Sequence, residues 1–224
     1  MPDPVLVLDT GSPLVSVAVG RAGRVVAERS VELGRSSALL VDLIREVLQE
    51  AGVAPAELGG IAVLRGPGSF TGVRIGLATA LGLHQALGTP ATGISSLQAL
   101  AAAAEEGTTK TVIAVVDALR GEWSARAFRA GLPVTEEVLV PGGEVPRLAG
   151  EEPALVVGFG AGKLAGLPEW PPEVRVVEPG ALAPAAVRLA AAPELVWDAG
   201  LLTRPLYSRP PAITPPKARA VEGR

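Results

Sequence analysis

Hydrophobic positions along this chain change period several times before residue 90. Residues 4–9, Pro-Val-Leu-Val-Leu-Asp, are apolar without alternation, as expected of a strand covered on both faces. Val15 to Gly20 alternates, Gly23 marks a turn, and Arg24 to Val31 supplies a third strand. Across 38–51 the period lengthens to that of a helix. Leu39, Leu40, Leu43, Ile44, Val47 and Leu48 form one stripe there, with Ser36 or Ser37 as cap and Gly52 as stop. Ile61 to Leu64 is a short buried strand. The helix that follows, 72–87, is apolar nearly all round, so it needs cover on two sides. Gly88-Thr-Pro90 breaks the chain, and Ser95 or Ser96 caps an Ala-rich helix to about 104.

Much of this order then returns. Strands are expected at Thr111 to Asp117, Glu122 to Arg129, Val134 to Val140, Leu155 to Gly158 and Val174 to Val177, and a helix at Ala181 to Ala192. A gapped repeat of one strand-and-helix unit accounts for the order. The reading is an α/β chain of two lobes, 1–106 and 107–202, each a mixed sheet flanked by helices. A Pro-rich basic tail, 203–224, is expected to be extended and packed only where Leu206 and Tyr207 anchor it.

The densest motif is Arg65-Gly-Pro-Gly-Ser-Phe-Thr-Gly-Val-Arg-Ile-Gly76. Pro67 between two glycines suits a tight turn, and Ser69 or Thr71 can cap the next helix. Amides at that helix start could hold an anion. Gly72, Gly76 and Ala80 recur at every fourth position, leaving a bare face that another helix can approach closely. Asp9-Thr10-Gly11-Ser12 closes the first strand. It looks like the phosphate-holding hairpin of actin-like ATPases, while Asp, Gly and Ser also suit an ordinary hairpin turn. The matching second hairpin, Val116 to Glu122, has Asp117 but no run of glycines. Gly158-Phe-Gly-Ala-Gly162 is a candidate adenosine-side segment or a plain loop.

Composition narrows the chemistry. The chain has 224 residues, 48% of them hydrophobic, but only 3 Phe, 3 Trp and 1 Tyr, so Ala, Val and Leu must build the core. Trp123, Trp170 and Trp197 are expected as core or lobe contacts. A net charge of −3 gives no case for nonspecific binding to nucleic acid. With no Cys and one His, disulfides, thiolate ligands, cysteine nucleophiles and multi-histidine metal sites are excluded. His84 reads as a satisfied or exposed histidine. Arg65 and Arg74 could bind a phosphate or a partner carboxylate, or solvate the loop edges. No secretory leader or membrane-length apolar run is visible, which makes the cytoplasm the default location.

Taken together, Val7-Leu-Asp-Thr10, the Arg65–Gly76 run, Gly93-Ile-Ser-Ser-Leu97, Val116-Asp-Ala118 with Gly121-Glu122, and Pro205-Leu-Tyr207 resemble the TsaB (YeaZ) family. The resemblance spans residues 5 to about 210. It implies an actin-like, ribonuclease H-like two-lobed fold and a non-catalytic partner of TsaD and TsaE. Those proteins together support threonylcarbamoyl transfer to adenosine 37 of tRNA (t6A). It further implies no catalytic residue, metal or cofactor of the chain's own, leaving room for ATP or ADP with magnesium in the complex. Contact with tRNA would be indirect, through the complex. The helices bearing Leu39, Leu43, Gly72, Val73, Arg74, Gly76 and Ala80 would face the partner, or a second copy when the partner is missing. Asp9, Thr10, Gly11, Ser12 and Asp117 would be a vestigial nucleotide site. A weak ATPase is the alternative, and a peptidase ranks last. Two departures from the family pattern stand out: Arg35-Ser36-Ser37 where many members begin the helix with histidine, and Leu119 with Arg120 where Asp-Ala-Arg is usual.

Overall fold

The computed structural model describes residues 2–32, 36–104, 110–150, 152–167 and 170–209. Two mixed sheets carry the fold. The first comprises β1 (Val5–Asp9), β2 (Leu14–Arg21), β3 (Arg24–Glu32), β4 (Gly60–Leu64) and β5 (Ala91–Ile94), in the order β3-β2-β1-β4-β5. β1 to β3 form an antiparallel meander, and β4 and β5 add in parallel. The second sheet comprises β6 (Thr111–Asp117), β7 (Glu122–Arg129), β8 (Leu132–Pro133), β9 (Val138–Pro141), β10 (Ala154–Val157) and β11 (Arg175–Val177). Its order, β11-β10-β6-β7-β8 with β9 also on β7, is the first sheet's pattern again. β6 and β7 are antiparallel, and β10 and β11 add in parallel. The repeated unit inferred from sequence is therefore present in the topology, and the fold is the two-lobed actin-like α/β architecture.

Among the described residues, four α-helices fill the layers. α1 (Ser36–Glu50) and α2 (Phe70–Leu87) cover one face of the first sheet, closing a core of Leu6, Leu8, Val17, Val47, Val63 and Val73. α3 (Ser96–Ala104) and α4 (Leu182–Ala190) lie between the sheets, packed with Val5, Val7, Val112, Ala114 and Phe128. β1 is thus buried on both faces, which is why its sequence does not alternate. Among the described residues, the second sheet's outer face has only 3-10 turns at Gly142–Ala149 and Ala161–Lys163 in place of α1 and α2.

Several boundaries differ from the sequence reading. The stretch Val134 to Val140 is not one strand. The Thr135 hydroxyl accepts from the Ala127 amide at 3.0 Å, and its carbonyl accepts from Arg126 Nε at 2.9 Å. A side chain thus takes a ladder position, and regular pairing resumes only at Val138. The sequence does not predict β5, because Ala-Thr-Gly-Ile is short and follows Pro90. It is a strand because β4 pairs with it and the 3-10 turn Ala199–Thr203 packs against it. α2 begins at Phe70 rather than 72, since Ser69, not Thr71, is its cap and accepts from the Gly72 amide at 3.2 Å. Residues 182–203 return to the first sheet. Ser16 Oγ accepts from the Ala183 amide at 3.1 Å, and Thr92 Oγ1 donates to the Val196 carbonyl at 2.8 Å. The side chains of Ser36 and Ser37, offered as caps of α1, lie outside the described residues.

Candidate functional site

A cavity of about 860 Å³ opens between the lobes. The β1–β2 hairpin at Gly11–Pro13 and the loop Pro67–Phe70 form one wall. The β6–β7 hairpin at Asp117–Arg120 forms the other, and Tyr207–Arg209 crosses the mouth. The motifs singled out in the sequence thus converge, but their polar groups are arranged unexpectedly.

Asp9 is fully buried and does not line the cavity. Its Oδ1 accepts from the amides of Gly11 at 3.0 Å and Ser12 at 3.3 Å, and its Oδ2 has no hydrogen-bond partner among the described residues. Burial pushes the Asp9 carboxyl up from 3.8 to about 6, with the Ser12 hydroxyl first and then those amides pulling the other way. Thr10 is buried too, its hydroxyl donating to the Gly72 carbonyl at 2.7 Å. In the second hairpin, Asp117 Oδ1 accepts from the Leu119 amide at 2.7 Å, and its Oδ2 lies 3.6 Å from Lys163 Nζ. In the Gly158–Gly162 loop, the carboxylate of Glu178 accepts from the amides of Gly160 at 2.9 Å and Gly162 at 3.3 Å.

One pattern runs through all three segments. Amides of the kind that cradle phosphate are filled by the chain's own carboxylates, from Asp9, Asp117 and Glu178. Of the residues expected to form a vestigial nucleotide site, Gly11, Ser12 and Asp117 reach the cavity, while Asp9 and Thr10 are turned into the interior. Among the described residues no group of three or more His, Cys, Asp or Glu could hold a metal ion. The hairpin amides that a phosphate chain would need are already engaged.

The expected partner face also needs correction. Gly72 and Gly76 face the chain's own first hairpin. A Cβ on Gly72 would run into the Thr10 carbonyl, and one on Gly76 into the Thr10 hydroxyl, with Val63 Cγ2 at 3.2 Å. Val73, Ala80 and Leu43 are likewise buried in the core of the first lobe. Of the seven residues, only Leu39 and Arg74 are exposed. The outward side of α2 carries a second stripe at the same spacing, Ala78, Gly82 and Ala86, all exposed, and a Cβ on Gly82 would meet nothing within 4 Å. Spacing cannot separate the two stripes, because both repeat every fourth residue.

Arg65 and Arg74 hold the C-terminal strap. Arg65 Nη1 donates to the Arg204 carbonyl at 2.8 Å, and the Leu206 amide donates to the Arg65 carbonyl at 2.7 Å. Gly66, at φ +99°, admits this strap because a Cβ there would strike the Leu206 carbonyl. Arg74 lies 3.8 Å over the Phe70 ring and donates from Nε to the Tyr207 hydroxyl at 2.9 Å. The Phe70 and Tyr207 rings are 4.9 Å apart. Arg209 then reaches the second lobe, pairing with Glu122 and donating to the Leu119 carbonyl at 3.2 Å. The tail is therefore anchored at Arg204 and Arg209 as well as at Leu206 and Tyr207. The rest of the basic tail, residues 210–224, lies outside the described residues.

The remaining singletons are structural. His84 Nδ1 donates to the Thr89 carbonyl at 2.7 Å, just past the end of α2. Trp123 is buried, Trp170 Nε1 donates to the Val174 carbonyl at 3.0 Å, and Trp197 packs over Gly60.

Comparison with known proteins agrees with this frame. Residues 34–131 match the family model TsaD, tRNA N6-adenosine threonylcarbamoyltransferase. The tRNA threonylcarbamoyladenosine biosynthesis protein TsaB of Escherichia coli (strain K12) is 34% identical over 120 residues, 53% of this chain and 52% of that protein. The chain spans about half the length of the curated relatives it matches. A Pseudomonas aeruginosa protein described as uncharacterized, with similarity to peptidase YEAZ, superposes with a TM-score of 0.75 at 29% identity, over 92% of this chain and 99% of that one. YeaZ from Pseudomonas aeruginosa superposes with a TM-score of 0.68 at 30% identity, over 84% of this chain and 89% of YeaZ. Sharing that identity across most of YeaZ and carrying the glycine-rich loop within the same two-lobed frame, the chain belongs to the TsaB/YeaZ family.

Proposed function

We propose that this chain is a non-catalytic subunit in t6A formation, acting in the cytoplasm by pairing with a TsaD-type threonylcarbamoyltransferase, with TsaE as a further partner. The observation that carries the reading is the outward face of α2. One side of this apolar helix is spent on its own sheet. The other presents Ala78, Gly82 and Ala86 beside the half-buried Ile75 and Leu81, with Leu39 and Val41 exposed on α1. Exposed apolar surface on two helices of one layer suits a helical partner, and small residues let that partner's backbone come close.

The cleft supports the non-catalytic half of the reading. Its hairpin amides are engaged by Asp9, Asp117 and Glu178, so any ATP or ADP with magnesium used in the reaction is assigned to the complex rather than to this chain alone. In isolation the same α2 face would pair with a second copy, and contact with tRNA would come through the complex. The test is size-exclusion chromatography of the chain mixed with its TsaD-type partner. Wild type should co-elute and Gly82→Trp should not. Co-elution of Gly82→Trp would contradict this choice of face.

A further inference from the structure

The interlobe cavity is shaped for something other than a nucleotide. We propose that it binds a small organic monoanion with an apolar body, of the class of medium-chain or aryl carboxylic acids, held between the Ser96 hydroxyl and the Arg120 guanidinium. This site is independent of the pairing face on α2.

Size and lining set the class. At about 860 Å³ the cavity falls within the usual range for small-molecule sites, and its walls include Leu100, Val115, Leu139, Phe159 and Leu182. The Phe70 and Tyr207 rings, locked by Arg74, close one side of the mouth. Such a surface suits methylenes or an aromatic ring rather than a hydrated polyanion.

Two groups lining the cavity, one buried and one cationic, stand without partners among the described residues. Ser96, the first residue of α3, is 2% exposed and lines the cavity. Its amide is committed to the Gly66 carbonyl at 2.8 Å, but its hydroxyl has no hydrogen bond. A buried unpaired hydroxyl is costly, and a ligand oxygen would satisfy it. Arg120 is the second. Of the arginines at the mouth, Arg209 is tied to Glu122 and Leu119, and Arg74 is spent on Phe70 and Tyr207. Arg120 has neither an ion pair nor a hydrogen bond among the described residues. Both Leu119 and Arg120 sit at positive φ, 66° and 58°, at the hairpin tip. The tight hairpin turn imposes this conformation, as it does at Ala22 and Ala130, and it carries the Arg120 side chain on the cavity wall.

Charge balance limits the ligand to one negative charge. The free guanidinium is the only uncommitted cation lining the cavity among the described residues. Asp117 on the same wall, already shared between the Leu119 amide and Lys163, would repel a second negative charge. The amides that a phosphate chain would need are occupied, as described above.

The test uses the full chain with 8-anilinonaphthalene-1-sulfonate, an aromatic monoanion, as the fluorescent probe. Octanoate and magnesium-ATP serve as competitors. The expected result is one probe per chain, displaced by octanoate and not by magnesium-ATP. Arg120→Gln and Ser96→Ala should each weaken octanoate about tenfold, the size of losing one hydrogen bond to a charged group. Ser96→Ala should do so without lowering thermal stability, since it removes an unsatisfied buried hydroxyl; a merely structural serine would leave octanoate binding unchanged. Ser208→Trp, at the mouth, should block the probe without touching the floor. Absence of probe binding, binding insensitive to all three variants, or displacement by magnesium-ATP ahead of octanoate would each overturn the proposal.

Discussion

The hydroxyl of Thr10 donates to the carbonyl of Gly72 at 2.7 Å, joining the first hairpin to the first turn of α2 across 62 residues of sequence. The contact explains why this helix carries glycine at 72 and 76. The Thr10 carbonyl lies where a side chain at 72 would stand, and the Thr10 hydroxyl where one at 76 would. Thr10→Val should therefore cost about 1–2 kcal/mol, the loss of a buried hydrogen bond that leaves a carbonyl unpaired. Gly72→Ala should cost more, about 3 kcal/mol, because its methyl meets backbone rather than a movable side chain. Urea unfolding of the two variants checks the order.

Asp9 gives the chain a specific pH dependence. Its carboxyl titrates near 6 when folded against 3.8 as the reference, so the folded state holds its proton more tightly. The contribution is most favourable below about 4 and is lost as pH climbs through about 6, a swing of about 3 kcal/mol. Asp9→Asn keeps an acceptor for the Gly11 and Ser12 amides and removes the titration. It should be more stable than wild type at pH 8 by about 1–3 kcal/mol, with the gap closing below pH 5. Denaturant unfolding at pH 4, 6 and 8 measures the difference between the two chains, in which the other groups cancel.

The strap over the mouth rests on Arg74. Arg74→Ala removes the cation from the Phe70 ring and the donor from Tyr207, and should speed hydrogen exchange at the Leu206 amide by about tenfold. Tyr207→Phe keeps the ring contact with Phe70 and should have the smaller effect.

The two stripes of α2 predict opposite behaviour. Gly76→Leu should destabilise the isolated chain by several kcal/mol, of the order of severe overpacking, because it strikes Thr10. Gly82→Ala should stabilise it by up to about 1 kcal/mol, the cost of glycine in an exposed helix. Thermal melts of both variants separate an internal stripe from an external one.

Most of the frame was legible because hydrophobic period and punctuation agree locally. β1, β2, α1 and β6 each show an unmixed period. What was hidden depended on partners distant in sequence. β5 needs β4 and residues 199–203 to be a strand, and Thr135 interrupts a strand by a side-chain hydrogen bond that no period reveals. In the site, the motif showed which residues gather but not which way they face. The carboxylate of Asp9 turning back onto its own hairpin, and that of Glu178 onto Gly160 and Gly162, could not be read from spacing. Ser96 reads as a helix cap in the sequence, and only the fold shows its hydroxyl at the cavity with no partner among the described residues.

The most direct test of the pairing account is reconstitution of tRNA modification. The assay combines the TsaD-type transferase, TsaE and the enzyme that forms threonylcarbamoyl-adenylate, and measures t6A with wild-type chain, with Gly82→Trp, or with neither. The account predicts modification only with wild type, and no rapid ATP turnover by this chain alone. Modification proceeding equally with Gly82→Trp or without the chain would contradict it.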